Sequence, residues 1–224
     1  MEKYYKIAID GPAASGKSTT AKSLAQKLGY IYIDTGAMYR ACALRSLQDN
    51  INLSDKDQLK KMLENIKIDI KHNKNGNRIL LDDVDVTQRI RENDITRKSS
   101  EIAIIPQVRE KMVELQREIG KNGGVVMDGR DIGTVVFPDA DFKFFMDAKP
   151  EIRAQRRLIE NQKRGISSNY NEILKELKWR DQNDSKRKIA PLKKANDAIL
   201  IDTSNLTIKQ QVERIMEIIR KDGN

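Results

Sequence analysis

The chain has 224 residues, enough for one domain with a full core, and 33% of them are charged while only 5% are aromatic. Basic residues outnumber acidic ones 42 to 33, and the net charge of +9 suits nucleic acid or smaller polyanions such as nucleotides. A single cysteine, Cys42, and a single histidine, His72, exclude a disulfide, a thiolate metal site and a histidine cluster. No apolar run reaches the roughly 18 residues of a membrane span, and the opening residues 1–3 do not read as a leader, so a cytoplasmic setting is expected. Cys42 reads as a small inert core residue and His72 as an exposed strand residue.

The apolar run at 4–9 reads as a buried strand. It leads into Gly11-Pro12-Ala13-Ala14-Ser15-Gly16-Lys17-Ser18, followed by Thr19, a phosphate-loop pattern of two glycines separated by four residues and then Lys and Ser. Gly11 and Gly16 permit backbone angles and close approaches that a Cβ forbids. The loop's N–H groups and the start of the next helix form a concave anion site. Lys17 offers a point charge for β- and γ-phosphates, and the Ser18 hydroxyl is a candidate ligand for Mg²⁺. The segment Lys17–Leu28 is amphipathic, with Leu24, Ala25 and Leu28 on one face and Gly29 as its stop. Strand, loop and helix in that order are the setting the pattern requires.

A second short strand at 30–33 ends in Asp34-Thr35-Gly36-Ala37-Met38-Tyr39-Arg40, and helical spacing resumes over 37–47. Ser54-Asp55-Lys56-Asp57 reads as a capping box for a helix running to about residue 65. Ile66, Ile68 and Ile70 then alternate with polar residues, and Asn75-Gly76 marks a two-residue hairpin turn before Ile79-Leu80-Leu81. An antiparallel hairpin breaks the βαβ rhythm, so about 64–92 reads as an inserted subdomain. Helices are expected over 94–104 and 106–119, the latter opened by Pro106.

A third strand at 125–127 ends in Asp128-Gly129-Arg130-Asp131. Asp128 closes a buried strand, where a phosphate-loop protein places a carboxylate near Mg²⁺, directly or through water; a turn or cap role is the alternative. The fourth strand covers 142–146. Pro150 then opens a helix carrying Arg153, Arg156 and Arg157, and a further helix covers 169–183. The fifth strand, 198–201, precedes a last helix at 207–220. Five apolar strands alternating with helices predict an α/β fold with a five-stranded parallel sheet covered on both faces. Ligands then belong beyond the strands' C-terminal ends, where Gly11, Asp34, Asp128 and Asp147 lie.

Asp34 to Arg40, Asp128-Gly129-Arg130-Asp131-Ile132-Gly133-Thr134, and Trp179-Arg180-Asp181 through Asp184 and Arg187 together resemble the bacterial cytidylate kinases, over essentially the whole chain. The resemblance implies one phosphate-loop kinase domain over 1–224, with 64–92 as the monophosphate-binding subdomain and 151–168 as a helical lid. It sets Arg40, Arg130 and Arg187 against the acceptor phosphate. Ser100, Arg109 and Asp131 fall to cytosine, and Arg180 and Asp184 to the sugar. Residues 11–19 with Arg153, Arg156 and Arg157 are implied to hold ATP. Thr35 stands where several relatives carry Ser, which keeps a hydroxyl for the nucleotide. Ala13 stands where some carry Ser, and any acceptor contact from that hydroxyl is missing here.

The implied reaction is transfer of the γ-phosphoryl of ATP to CMP or dCMP, with Mg²⁺ accompanying ATP, by a monomer that engages neither nucleic acid nor membrane. A phosphate oxyanion is already a nucleophile at neutral pH, so the near absence of histidine fits. Lys17, Arg130, Arg187 and Asp128 would carry the catalytic field. Arginine's planar fork matches phosphate oxygens better than lysine's point charge, although a helix arginine also pairs with acidic neighbours. Arg109 and Asp131 pairing with each other on the surface is the plain alternative to base reading. Two other functions stay open: a UMP or AMP kinase of the same fold, and a nucleotide-regulated RNA-binding protein.

Overall fold

The opening run forms β1 (Lys6–Asp10), with four of its five residues buried. The structure, a computed structural model, describes residues 4–73 and 76–222. The turn expected at Asn75, the opening residues 1–3 and the side chain of His72 lie outside what is described. The chain divides into two compact units, Met1–Tyr32 with Asn122–Asn224, and Ile33–Lys121.

In the first unit β1 is the central strand of a five-stranded sheet. With β2 (Ile31–Asp34), β6 (Val125–Gly129), β7 (Phe142–Asp147) and β8 (Ile199–Asp202), the strand order is β2-β6-β1-β7-β8. β1 pairs in parallel with β6 on one side and β7 on the other. Ile9 lies opposite Asp128 and Asp10 opposite Gly129, so this register sets the start of the phosphate loop beside the end of β6. Such strands need apolar residues on both faces, which is why they read as short apolar runs without alternation.

The helices of this unit follow their caps. α1 (Lys17–Leu28) ends at Gly29, whose left-handed backbone lets its N–H reach Ala25 and Gln26. α6 (Pro150–Lys163) starts on a proline whose missing N–H costs nothing in a first turn. α7 (Tyr170–Lys186) is capped by the Asn169 side chain, and α8 (Ile208–Asp222) packs on α1. Ile7, Ile9, Leu24, Val126, Phe144, Met146, Ile201 and Ile215 form the shared core. Each such side chain contributes about 1.5–3 kcal/mol on burial. A smaller cluster of Ala154, Ile173 and Leu177 joins α6 to α7.

In the second unit α2 (Thr35–Gln48) begins two residues earlier than its spacing predicts. Asp34 ends β2 and caps the helix at once, accepting from the Ala37 N–H at 2.9 Å. Cys42 is buried in α2, and burial pushes its thiol up to about 12, which fits an inert core residue. α3 (Lys56–Asn65) is capped by Asp55 and not by Ser54 as the capping-box reading has it. The Asp55 carboxylate accepts from the N–H groups of both Asp57 and Gln58. β3 (Ile68–Asn73) and β4 (Gly76–Leu81) pair antiparallel as the alternation predicts. A third strand, β5 (Val84–Asp85), extends them; two residues are too few to show a period. A single 3₁₀ turn at Arg89–Arg91 leads into α4 (Asn93–Ile102), and α5 (Pro106–Gly120) follows.

Candidate active site

The phosphate loop is forced by its glycines. Gly11 has φ +151°, and a Cβ there would lie 2.0 Å from the carbonyl oxygen of Met146 on β7. Gly16 is left-handed at φ +92°, and a Cβ would press on the Gln211 side chain at 3.1 Å. A Gly11→Ala variant should therefore lose both stability and ATP-dependent turnover, since a clash with backbone is relieved only by moving a strand. A drop of 5 °C or more in Tm, with loss of activity, is the expected result; an unchanged melt would contradict this packing.

Lys17 lies within the loop rather than facing solvent: it is 6% exposed and its Nζ donates to Pro12 O at 3.1 Å. Ser18 Oγ donates to Asp128 Oδ2 at 2.7 Å, and Tyr32 Oη donates to Asp128 Oδ1, also at 2.7 Å. The hydroxyl and the carboxylate read from sequence as Mg²⁺ candidates thus meet at one point. Thr19 is exposed beside them, while Thr20 points inward and donates to Gln211 Oε1 at 2.6 Å.

Arg153 and Arg156 of α6 both reach the loop's carbonyl side. Arg153 is buried and holds Ala148 O, Ala13 O and Asp181 Oδ2 at 2.9, 3.2 and 2.6 Å. Arg156 donates to Ser15 O and to the hydroxyl and carbonyl of Thr203, so the residue after β8 is stapled to the loop. Arg157 does not join them; it pairs with Glu160 on its own helix at 3.1 Å.

Beyond β6 the carboxylates and arginines interleave. Arg130 Nε donates to Asp184 Oδ2 at 2.8 Å. Arg187 lies 3.6 Å from Asp131 and 4.0 Å from Asp184. Burial alone would raise the Asp184 carboxyl, but the charges of Arg130, Arg180 and Arg187 hold it below the usual range. Burial likewise opposes the Arg130 charge, and Asp184, Asp128 and Asp181 keep it protonated. Asp131 is 5% exposed, so a surface role does not describe it.

In the second unit Arg40 Nη2 lies 3.2 Å from Asp34 Oδ2, one turn above the cap that Asp34 provides. Thr35 is buried at the first position of α2, and Ser100 is half-buried on α4. Arg109 is buried on α5, donates to Ala103 O at 3.2 Å and lies over the Tyr39 ring. Sequence reasoning missed Tyr32, Thr203 and Gln211. Thr203 alone left a signal, as the hydroxyl directly after an apolar strand's end.

The profile of the family described as cytidylate kinase matches residues 7–221. The chain belongs to the cytidylate kinase family. Among curated members, the cytidylate kinase of Geobacillus sp. strain WCH70 is 51% identical over 99% of each chain. That of Bacillus subtilis strain 168 is 47% identical, again over 99% of each. Solved structures support the fold alone. A shikimate kinase from Bacteroides thetaiotaomicron aligns with TM-score 0.50 at 14% identity, over 97% of this chain and 99% of that one. An uncharacterized protein from Eubacterium ventriosum aligns with TM-score 0.52 at 14% identity, over 98% of this chain and 99% of its own. For a cytidylate kinase family member, a phosphate-loop sequence beside a hydroxyl–carboxylate pair is an arrangement that suits phosphoryl transfer. The chain is thus an ATP-dependent kinase of nucleotide substrates. Among the described residues no helix is long and apolar enough to cross a membrane.

Proposed function

We propose that the chain transfers the γ-phosphoryl group of ATP to CMP or dCMP, giving ADP and CDP or dCDP. The observation that carries this reading is family membership along the whole chain, with Lys17, Ser18 and Asp128 gathered at the phosphate loop. Lys17 and Arg130 set positive charge where the transferring phosphoryl group gains negative charge, and no general base is required. The loop's N–H groups hold the donor phosphates and orient the γ-group for in-line attack.

Ser18 Oγ and Asp128 Oδ2, 2.7 Å apart, are a hard-oxygen pair suited to Mg²⁺. Among the described residues no group of three His, Cys, Asp or Glu side chains is arranged to hold a metal. Bound there, Mg²⁺ would supply neutralisation of phosphate charge.

Arg153, Arg156 and Arg157 fall on the segment assigned as the lid, 151–168. Arg156 is half-buried against Thr203, which suits a side chain on the donor side of the loop. For the acceptor, Arg187 is assigned to the phosphate, Asp131 to the base, and Arg180 and Asp184 to the sugar. In the second unit Arg40, fixed by Asp34, offers a guanidinium for phosphate. Asp184 is also the partner of Arg130, so its loss should be felt whichever sugar hydroxyl it meets. Asp184→Ala is expected to lower kcat/KM for CMP and for dCMP by at least about tenfold, the cost of one charge-assisted contact. Unchanged values for both would place Asp184 outside the site. The reaction itself is tested by incubating the protein with γ-³²P-ATP and CMP. Label should appear in CDP, and label released only as inorganic phosphate would reject the reading.

A further inference from the structure

Asp10 ends β1 directly before Gly11 and is only 4% exposed. Its Oδ1 accepts from the Ile132 N–H and its Oδ2 from the Gly133 N–H, each at 2.8 Å. These two donors open the π-helical turn Ile132–Val136, in which Phe137 N–H bonds Ile132 O at 2.7 Å. Arg130 and Asp131 immediately precede it. A helical turn's first N–H groups have no partner of their own, and a buried carboxylate is tolerated only when donors saturate it. Here each need answers the other. Gly133 gives the turn its room: a Cβ would lie 3.3 Å from the Lys143 side chain and 3.5 Å from Asp10 Oδ2.

We propose that Asp10 is a positioning residue for the acceptor side of the reaction, its carboxylate clamping the turn that directly follows Arg130 and Asp131. The proposal rests on the reading that Arg130 and Asp131 face the nucleoside monophosphate. The clamp joins the strand that feeds the phosphate loop to the turn after β6. Donor loop and acceptor-reading turn are thereby held in one register. Rigid support of this kind matters because errors near 1 Å at a reacting group cost large factors in rate.

The surroundings of Asp10 act on its charge in opposite directions. Burial pushes its carboxyl up to about 7; the N–H groups of Gly133 and Ile132 pull the other way, Asp131 adds to the rise and Arg130 opposes it. Lys143 of β7 is a further charged side chain close to Gly133, and it is engaged with Pro138 O and Asp197. An amide at position 10 keeps one acceptor and turns a donor toward an N–H, breaking half the clamp at nearly constant volume.

The test is Asp10→Asn in the full-length protein, read by amide hydrogen exchange and by steady-state kinetics. Protection at Ile132 and Gly133 should fall at least tenfold while Val126 and Met127 in β6 keep theirs. KM for CMP should rise about tenfold or more, with KM for ATP within threefold of wild type. Equal losses for both substrates would assign Asp10 to the phosphate loop alone and overturn the proposal, as would an unchanged KM for CMP. Wild type keeps the proposal falsifiable if the variant does not fold: exchange at Ile132 and Gly133 as fast as in exposed loops refutes the clamp. Failure of the underlying reading is seen separately, as CMP specificity that ignores Asp131.

Discussion

Lys17→Ala should give a folded protein whose phosphoryl transfer has fallen by about 10³-fold or more. The side chain is held close to the backbone by Pro12 O, in a loop whose shape comes from Gly11 and Gly16 rather than from the lysine. Its removal costs the fold about one hydrogen bond, roughly 1 kcal/mol, and alanine is at least as good a helix former at the first position of α1. The catalytic loss is larger because Lys17, 6% exposed as a residue, would set its charge where water screens it little. A charge there counts most when the γ-phosphoryl group leaves. Thermal melting and single-turnover transfer separate the two effects. A well-folded variant with near-normal turnover would remove the phosphate loop from the mechanism.

Asp131→Ala should collapse the preference for CMP over UMP. Cytosine and uracil differ at position 4, an amino donor in one and a carbonyl acceptor in the other. An aspartate carboxylate offers acceptors only. With UMP bound, two acceptors would face each other in a site where Asp131 is nearly inaccessible to water, and sites of this kind reject analogues by about 10⁴-fold. Alanine removes both the attraction for cytosine and the repulsion of uracil. The ratio of kcat/KM values for CMP and UMP should therefore shrink to about 100-fold or less, mainly through loss of CMP turnover. The rival reading treats Asp131 only as the charge partner of Arg187, 3.6 Å away. It predicts equal losses for the two substrates and an unchanged ratio.

Much of this arrangement is legible in the residues. α1 is bounded by Gly16 and Gly29, both of which punctuate a chain unambiguously, and its predicted limits match the helix. The five sheet strands are short apolar runs, each closed by a polar or glycine-containing stretch, and each appears within two residues of its expected place. The capping residue of α3 is missed because Ser54 and Asp55 are both good caps, and only the folded chain shows which carboxylate or hydroxyl meets the free N–H groups. β5 and the π-helical turn are too short to carry a period.

The site's supporting contacts are hidden for a different reason. Tyr32 meets Asp128 across 96 positions of sequence, Thr203 meets Ser15 across 188, and Thr20 meets Gln211 across 191. Asp10 falls just past the strand read at 4–9, and nothing local announces that both its oxygens are taken by amides 122 and 123 positions away. Pattern reading picks out candidate phosphate-binding groups, because such groups need particular residue types at fixed spacing. It does not find the groups that hold them, since an aspartate, a tyrosine or a glutamine used as a strut looks like any other.

The measurement that tests the central claim most directly is kcat/KM for phosphoryl transfer from ATP to each of CMP, dCMP, UMP, AMP and GMP, with Mg²⁺ present. CMP and dCMP should be the preferred acceptors, with UMP well below them and the purine monophosphates lower still. Preference for UMP or AMP, or no diphosphate product from any of the five, would contradict the account.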